Sequence, residues 1–462
     1  MTWEDTIAAI ATPPGPGGIG IIRISGSKAE EVARLLFRPA KEPPVFESHR
    51  LYHGDIVAPE SGAILDEVLL ALMKKPASYT GEDTVEIYCH GGYLILQAVF
   101  MATLKAGCRP ARPGEFTQRA FFNNRLDLTQ AEAVADMISA KTEKGLKIAL
   151  SHLKGSLSEE IDALRSRMVN LLARLESSID FTEEESSPAS DGLSRSLATD
   201  IATVILDLEN MLATYRQGKC FRSGVQVVIA GKPNVGKSSL LNALIGDRRA
   251  IVTPLPGTTR DFIEESIDIR GLPVRLTDTA GIRRPENIIE QAGIDLVKEK
   301  LAAADLVIIL LDGSAGLTEE DLEVIASVKD RPVLAVLNKN DLPARLEEDG
   351  LKILLPGKAI LRISAKFAQG LEPLKDAIHE AVAGLETDFS ERVTITNIRH
   401  KIALEKAVQF MSQAKEGCLE NRPAELLAIE IRDALGQLGE IVRPTTNEEV
   451  LGEIFSTFCI GK

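Results

Sequence analysis

The sequence predicts a multidomain α/β protein in which a domain of alternating strands and helices is inserted into a helical domain, with an α+β domain before both. Three changes of texture predict this. Short β-like runs among Gly/Pro turns fill residues 1 to about 122. Apolar steps of three and four take over from about 124 to 216. Strand–helix alternation then runs from about 219 to 380 before helical texture returns. The expected divisions are 1–122, 123–218, 219–380 and 381–462. A length of 462 residues leaves room for about three domains at ~150 residues each.

Composition narrows the function classes. Hydrophobic residues at 44% and charged residues at 26% exclude a disordered or fibrous chain. Aromatics are only 4%, so Leu, Ile, Val and Ala must fill the cores, which leans toward helix. The longest apolar run, Leu306 to Leu311, falls far short of the ~20 residues of a spanning helix, so no membrane partner is expected. The N-terminus lacks a basic segment and a long apolar stretch, and so does not read as a signal peptide. Five scattered cysteines, with no C-x-x-C pair, argue against a disulfide framework or structural zinc and fit a cytoplasmic location. A net charge of −14 excludes a globally basic nucleic-acid binder; any RNA contact must use local basic patches.

In chain order, the first region offers Gly20–Ile24, Leu65–Met73 and Thr84–Tyr88 as strands. They are separated by Pro13-Pro14-Gly15-Pro16-Gly17-Gly18, Pro43-Pro44 and His90-Gly91-Gly92. In the second region Leu150, Leu153, Leu157, Ile161, Leu164, Met168, Leu171, Leu175 and Ile179 form one stripe, expected on a single long helix. A polar break at 182–188 precedes a second stripe, Leu193 to Tyr215, expected to face the first in a bundle. Beyond the third region, Ile402–Met411, Ala424–Leu438 and Glu448–Phe458 each look amphipathic.

The third region carries the sharpest motif. Gly231-Lys232-Pro233-Asn234-Val235-Gly236-Lys237-Ser238 matches G-x-x-x-x-G-K-[ST] between a strand, Val225–Ile229, and a helix, Ser239–Leu244. Its glycines let backbone N–H groups close around phosphate oxygens, and the helix N-terminus adds its positive dipole end. Lys237 is placed to reach the β/γ-phosphates and the Ser238 hydroxyl to ligate Mg²⁺. Asp278-Thr279-Ala280-Gly281 follows the run Val274–Leu276; an Asp at a strand end can hold Mg²⁺ through water, and the Gly281 N–H can touch a γ-phosphate. Thr258 and Thr259 lie between the motifs, where a Thr closes the Mg²⁺ shell only while the γ-phosphate is present.

Base choice follows from hydrogen-bond polarity. Asn338-Lys339-Asn340-Asp341 follows the strand Val333–Leu337. The Asp341 carboxylate can accept from guanine N1–H and the exocyclic amine, whereas adenine would leave it unpaired. Ser364-Ala365-Lys366 follows Ile360–Ile363 and can present an N–H to guanine O6. The ordered motifs define a Ras-like P-loop GTPase domain, similar to the translation-factor-related GTPases such as Era. The expected GTP-contacting set is Asn234, Val235, Gly236, Lys237, Ser238, Ser239, Thr253, Pro254, Leu255, Pro256, Gly257, Thr258, Thr259, Asp278, Thr279, Ala280, Gly281, Asn338, Lys339, Asp341, Ser364, Ala365 and Lys366.

Two positions depart from Ras-like enzymes. Where those place a water-orienting Gln after Asp-x-x-Gly, this chain has Ile282. Glu290 is a downstream carboxylate that can orient water; a solvated helix-face charge is the other reading of the residue. Asn234, with carbonyls of the 253–258 loop, can complete an oxygen cage for a monovalent cation; a turn-favouring Asn after Pro233 is the alternative.

Segments outside this domain carry a further resemblance. They are Ala11–Gly15 with Gly20–Gly26, Tyr79-Thr80-Gly81-Glu82-Asp83, Arg112-Pro113-Gly114-Glu115-Phe116-Thr117, Leu126–Ala133 and the terminal Phe458-Cys459-Ile460-Gly461-Lys462. Over its whole length the chain resembles the MnmE (TrmE) family of tRNA modification GTPases. The resemblance implies an N-terminal domain similar to folate-dependent aminomethyltransferases, which binds a tetrahydrofolate derivative (5,10-methylene or 5-formyl) and mediates homodimerisation. It implies Arg23, Glu86, Arg125 and Lys462 as folate contacts; read alone, either arginine is a surface charge. It implies potassium-stimulated hydrolysis, with K⁺ near Asn234, Thr253, Leu255 and Thr258, Mg²⁺ at Ser238 and Thr259, and Glu290 as the water-orienting group. It assigns Cys459 to the modification chemistry, where a thiolate can add to a uracil ring; as a free Cys near Phe455 and Phe458, it equally suits a buried filler. The implied reaction installs a (carboxymethyl)aminomethyl group on C5 of the wobble uridine, position 34, of certain tRNAs. The carbon comes from methylenetetrahydrofolate, and an FAD-binding partner, MnmG (GidA), joins in a heterotetramer or larger assembly. The chain has no G-x-G-x-x-G dinucleotide fingerprint, in keeping with redox chemistry in the partner. The alternative, an Era-like regulatory GTPase acting in ribosome assembly, explains residues 219–380 but not the N-terminal segments or the Cys-Ile-Gly-Lys terminus.

Overall fold

A computed structural model describes residues 4–41, 46–180, 189–246, 265–278, 301, 303–328, 331–383, 393–443, 448–456 and 458–462. The chain divides into two compact units. One comprises Met1–Ile138, Ser151–Ala173 and Arg432–Lys462; the other comprises Ser139–Leu150 and Arg174–Ile431.

The first unit is built on a seven-stranded sheet. Its strands are β1 (Ile7–Ile10), β2 (Ile19–Ser25), β3 (Phe37–Pro39), β4 (Arg50–Val57), β5 (Ile64–Met73), β6 (Thr84–His90) and β7 (Arg109–Pro110). They lie in the order β3-β4-β5-β6-β2-β1-β7, antiparallel except for the β1–β7 pair. The pleat sorts each strand's residues onto two faces. Ile22 and Ile24 of β2 and Val85, Ile87 and Cys89 of β6 join Val32, Leu36, Leu96 and Val99 in one core, from the helices Ala29–Leu36 and Tyr93–Lys105. The alternate residues, Arg23 on β2 and Glu86 and Tyr88 on β6, fall on the other face. Arg23 is paired directly with Glu86 across the ladder. The helix Glu115–Phe122 contributes Phe116 to a small cluster with Ile7, Ala9 and Ala111, flanked by Tyr79. Phe455 and Phe458, from the end of the chain, pack with Leu128, Ala131 and Val134.

The second unit holds a six-stranded sheet. Its strands are β8 (Val225–Ala230), β9 (Glu265–Ile269), β10 (Leu272–Asp278), β11 (Leu306–Asp312), β12 (Val333–Asn338) and β13 (Ile360–Arg362). The order is β13-β12-β11-β8-β10-β9, parallel except for β9. The central runs are apolar throughout because both faces are buried. Along β11, Ile308 and Leu310 enter one core, and Val307, Ile309 and Leu311 enter the other. Along β12, Leu334 and Val336 alternate in the same way with Val333, Ala335 and Leu337. Strand order reverses at β8, and the glycine-rich loop leaves the carboxyl end of β8 at that switch point, where open α/β sheets bind ligands.

The segments on either side of the sheet meet. Ile395 N donates to Thr214 Oγ1 at 2.9 Å. The helices flanking the insert, Ala189–Ala213 and Ile398–Leu419, run against each other, with Ala403, Ala407 and Ala414 buried on the latter. Two helical expectations are revised. The Leu150–Ile179 stripe lies on two helices, Glu143–Leu153 and Ser156–Asp180, broken at Lys154-Gly155; Leu150 is exposed, so the buried stripe begins on the second helix with Leu157. The helix Ala189–Ala213 takes Ile398–Leu419 as its main neighbour, although Arg174 does ion-pair with its Asp200.

Candidate functional site

The nucleotide motifs gather around one side chain. Asn338 ends β12 and is buried. Its Nδ2 donates to Val235 O at 2.8 Å, and its Oδ1 accepts from Ala365 N at 2.9 Å. One amide therefore joins the phosphate loop to the 364–366 loop, so the phosphate and base ends of the site share a support. Gly236, at φ +101°, is the close-approach point. A Cβ there would stand 2.3 Å from Asn338 Nδ2. Asn234 takes a left-handed φ of +63°, tolerated by Asn. Lys237 and Ser238 open the helix Lys237–Gly246, with Ser239 after them, and the Lys237 ammonium donates to Gly231 O and Lys232 O at 2.6 and 2.8 Å.

The base-reading groups are held as tightly. Ser364 Oγ donates to Asp341 Oδ1 at 2.6 Å, fixing the carboxylate beside the 364–366 loop. Lys339, also left-handed at φ +65°, reaches Asp312 Oδ2 at 2.6 Å. Burial would raise the Asp312 carboxyl, but Lys339 and Ser314 outweigh it and hold it below the usual range. Lys366 lies over the Phe367 ring. Asp278 ends β10. Thr253, Pro254, Leu255, Pro256, Gly257, Thr258, Thr259, Thr279, Ala280, Gly281 and Glu290 lie outside the described residues. Two supporting carboxylates were not foreseen from the motifs. Asp312 closes the apolar run Leu306–Leu311 much as Asp278 closes its own strand, a signal that was there to read. Asp321 accepts from Lys232 at 2.7 Å and braces the phosphate loop from the helix Glu319–Val328.

A second constellation sits on the open face of the first sheet. Arg23 Nε donates to Glu86 Oε1 at 2.9 Å, and its Nη1 donates to Gly461 O at 3.0 Å. The guanidinium lies over the rings of Tyr79 and Phe116. The C-terminal tail docks there because Gly461 has φ +95° and comes so close to β1 that a Cβ would be 2.8 Å from Ala11 Cα. Lys462 is thereby half-buried, and burial together with the charge of Arg23 lowers its ammonium from the usual lysine range. Cys459 is exposed in the same tail, and its carbonyl accepts from Gly114 N. Arg23, Glu86 and Lys462 are thus brought together. Arg125 is anchored on the adjoining segment, its Nε donating to Ser78 O at 3.1 Å. One carboxylate with N–H-accepting capacity among cationic groups suits a ligand with both N–H donors and carboxylates, as a folate has.

The same unit holds an ion network centred on the fully buried Arg119 and Glu115, with Asp5 and Arg109 part-exposed. Arg119, fully buried, donates to Asp5 Oδ1 at 2.7 Å, Glu82 Oε2 at 3.1 Å and Glu115 Oε1 at 3.2 Å. Arg109 bridges Asp5 and Glu115 at 2.6 Å each. The Tyr79–Asp83 and Arg112–Thr117 motifs are therefore tied through one arginine that no spacing marks out. Among the described residues no cluster of His, Cys, Asp and Glu can hold a metal ion.

Family models and relatives match the chain over the regions that hold both constellations. The family model "GTP-binding protein TrmE N-terminus" matches residues 6–125, and "MnmE helical domain" matches 128–459. The chain is 52% identical over 460 residues to the tRNA modification GTPase MnmE of Syntrophus aciditrophicus, covering 99% of this chain and 100% of that protein. It is 45% identical over 463 residues to that of Geobacter metallireducens and 43% over 462 to that of Acetivibrio thermocellus, with 100% of both chains covered in each case. No described helix is long and apolar enough to cross a membrane. With both family models matched and full-length identity above 40%, the chain belongs to the MnmE (TrmE) family of tRNA modification GTPases.

Proposed function

We propose that this chain is a potassium-stimulated GTPase that, with an FAD-binding MnmG-type partner, installs a (carboxymethyl)aminomethyl group on C5 of the wobble uridine of certain tRNAs. The carrying observation is that one chain of this family combines an Asn338-braced nucleotide site with a cluster formed by Arg23, Glu86 and its own docked C-terminus. In this reading residues 1–122 bind a tetrahydrofolate derivative and mediate homodimerisation. Residues 219–380 turn over GTP, and residues 123–218 and 381–462 make the helical domain.

Each role rests on the residue's chemistry. The Lys237 ammonium exchanges its loop carbonyls for β/γ-phosphate oxygens, and the Ser238 and Thr259 hydroxyls hold Mg²⁺. Asn234, with Thr253, Leu255 and Thr258, holds K⁺, whose charge offsets that developing at the β–γ bridge. Glu290 orients the attacking water. Asp341 accepts from the guanine N1–H and amine, with Ala365 N–H available to O6. Arg23, Arg125 and Lys462 meet folate carboxylates, and Glu86 accepts from the pterin N–H groups. A reduced folate supplies a one-carbon unit there, and Cys459, exposed beside that pocket, supplies a thiolate toward the uridine. Cytoplasmic location follows from the tRNA substrate.

An Era-like regulatory role in ribosome assembly has less support, because it leaves the TrmE-type residues 6–125 and the docked Cys-Ile-Gly-Lys terminus without a purpose. The test is nucleoside analysis of tRNA from cells lacking this chain. Loss of C5-substituted wobble uridines is expected; an unchanged nucleoside profile overturns the proposal.

A further inference from the structure

We propose that Tyr88 is a positioning residue that fixes how the Glu86 carboxylate meets the aminopyrimidine edge of a reduced folate. This rests on the folate reading of the pocket and deepens it.

The ladder sets the geometry. Glu86 and Tyr88 are two apart on β6, so they point to the same face of the sheet, and Arg23 stands opposite Glu86 on β2. The carboxylate is gripped from both sides. Glu86 Oε1 accepts from Arg23 Nε and lies 2.9 Å from its Nη2 as well, whereas Oε2 accepts from the Tyr88 hydroxyl at 2.7 Å. A carboxylate offers about four lone-pair directions. Arg23 fills those of Oε1 and Tyr88 fills one of Oε2, which leaves an Oε2 direction for a ligand N–H. Rotation about the terminal torsion of a glutamate is soft, so Arg23 alone fixes one oxygen but not the plane of the group. Tyr88 supplies the second anchor. It remains a donor across the physiological range, since burial and the neighbouring Glu86 charge push its phenol up to about 12. A pterin presents its ring N–H and 2-amino group side by side, and the one open Oε2 direction takes a single donor, the 2-amino group, when Tyr88 sets the plane.

The experiment measures equilibrium binding of 5-formyltetrahydrofolate and of its 2-desamino-2-methyl analogue to the full chain, as wild type and as Tyr88→Phe. Circular dichroism and the thermal unfolding curve of the full chain report that the variant is folded, and GTP hydrolysis, which does not use Tyr88, is expected unchanged. The variant should bind 5-formyltetrahydrofolate about five- to tenfold more weakly, the scale of one ordinary net hydrogen bond. The loss on removing the 2-amino group should be clearly smaller in the variant than in the wild type, because the two changes act on one contact. An equal loss in both proteins, or unaltered affinity in the variant, overturns the role of Tyr88 while the pocket reading stands. Failure of the wild type to bind either ligand overturns the pocket reading itself, and the role of Tyr88 with it.

Discussion

Asn338 and Asp341 divide one task between them. Asn338 spends its amide on protein, holding Val235 O and Ala365 N, while Asp341 is steadied by Ser364 Oγ and keeps acceptor capacity for a base. Asp341→Asn reverses the polarity of that acceptor without changing its size. Affinity should move from guanosine toward xanthosine nucleotides by at least about tenfold, as measured by competition binding; retained GTP preference would count against the assignment. Cys459 is a different kind of residue. Exposed, in a tail held by Gly114 N and Arg23, it has no core to fill. Cys459→Ser should therefore abolish wobble-uridine modification, followed by mass spectrometry of digested tRNA, and leave GTP hydrolysis intact. Modified nucleoside at the wild-type level would remove the thiol from the chemistry.

The β2–β6 pair shows how an element creates a site. Its register places Arg23 against Glu86, and a slip of β2 by one residue would turn Arg23 toward the helix-covered core. The helix Glu115–Phe122 keeps that face in place through Arg119, which is buried among Asp5, Glu82 and Glu115. Removing Arg119 leaves Asp5 and Glu115 to Arg109 and takes away the ion partner of Glu82, at a cost of up to about 3–5 kcal/mol. Arg119→Met should lower stability by that amount in urea unfolding. Acid should expose the same network. Burial would raise the Asp5 and Glu115 carboxyls, but Arg109 and Arg119 override it and hold both below their ordinary values of 3.8 and 4.5. With folded values depressed, their contribution is complete above the unfolded values and disappears as pH falls through the folded ones. Wild-type stability should therefore fall more steeply below about pH 4.5 than that of Arg119→Met, and parallel curves would show that the arginine does not set these carboxyls.

At the largest scale, the segments before and after the nucleotide-binding sheet meet. Thr214 before the nucleotide-binding sheet and Ile395 after it hydrogen-bond to each other. If GTP turnover is coupled to ion binding at Asn234, replacing potassium with sodium at constant ionic strength should slow hydrolysis at least several-fold; equal rates in the two salts would eliminate the cation cage.

Much of this was legible from residues alone, for identifiable reasons. Both-sides-buried strands read as apolar runs, so β8, β11 and β12 stand out. The phosphate and base motifs are contiguous, because short backbone loops after strands make them. The helical stripes were found, but the break at Lys154-Gly155 was not, since apolar spacing carries across a two-residue turn. Short or half-exposed strands such as β3 and β7 left no periodic signal at all.

Local chemistry thus marked the nucleotide motifs and the main strands of the second sheet, because those depend on neighbours within a few residues. What required the folded chain was every pairing between distant segments. Arg23 meets Gly461 across 438 positions, and Arg119 reaches Asp5 across 114. Asn338 reaches Val235 across 103. Contacts of that span are chosen by sheet register and by which backbones can approach closely, and neither leaves a mark on the spacing of residues along one segment.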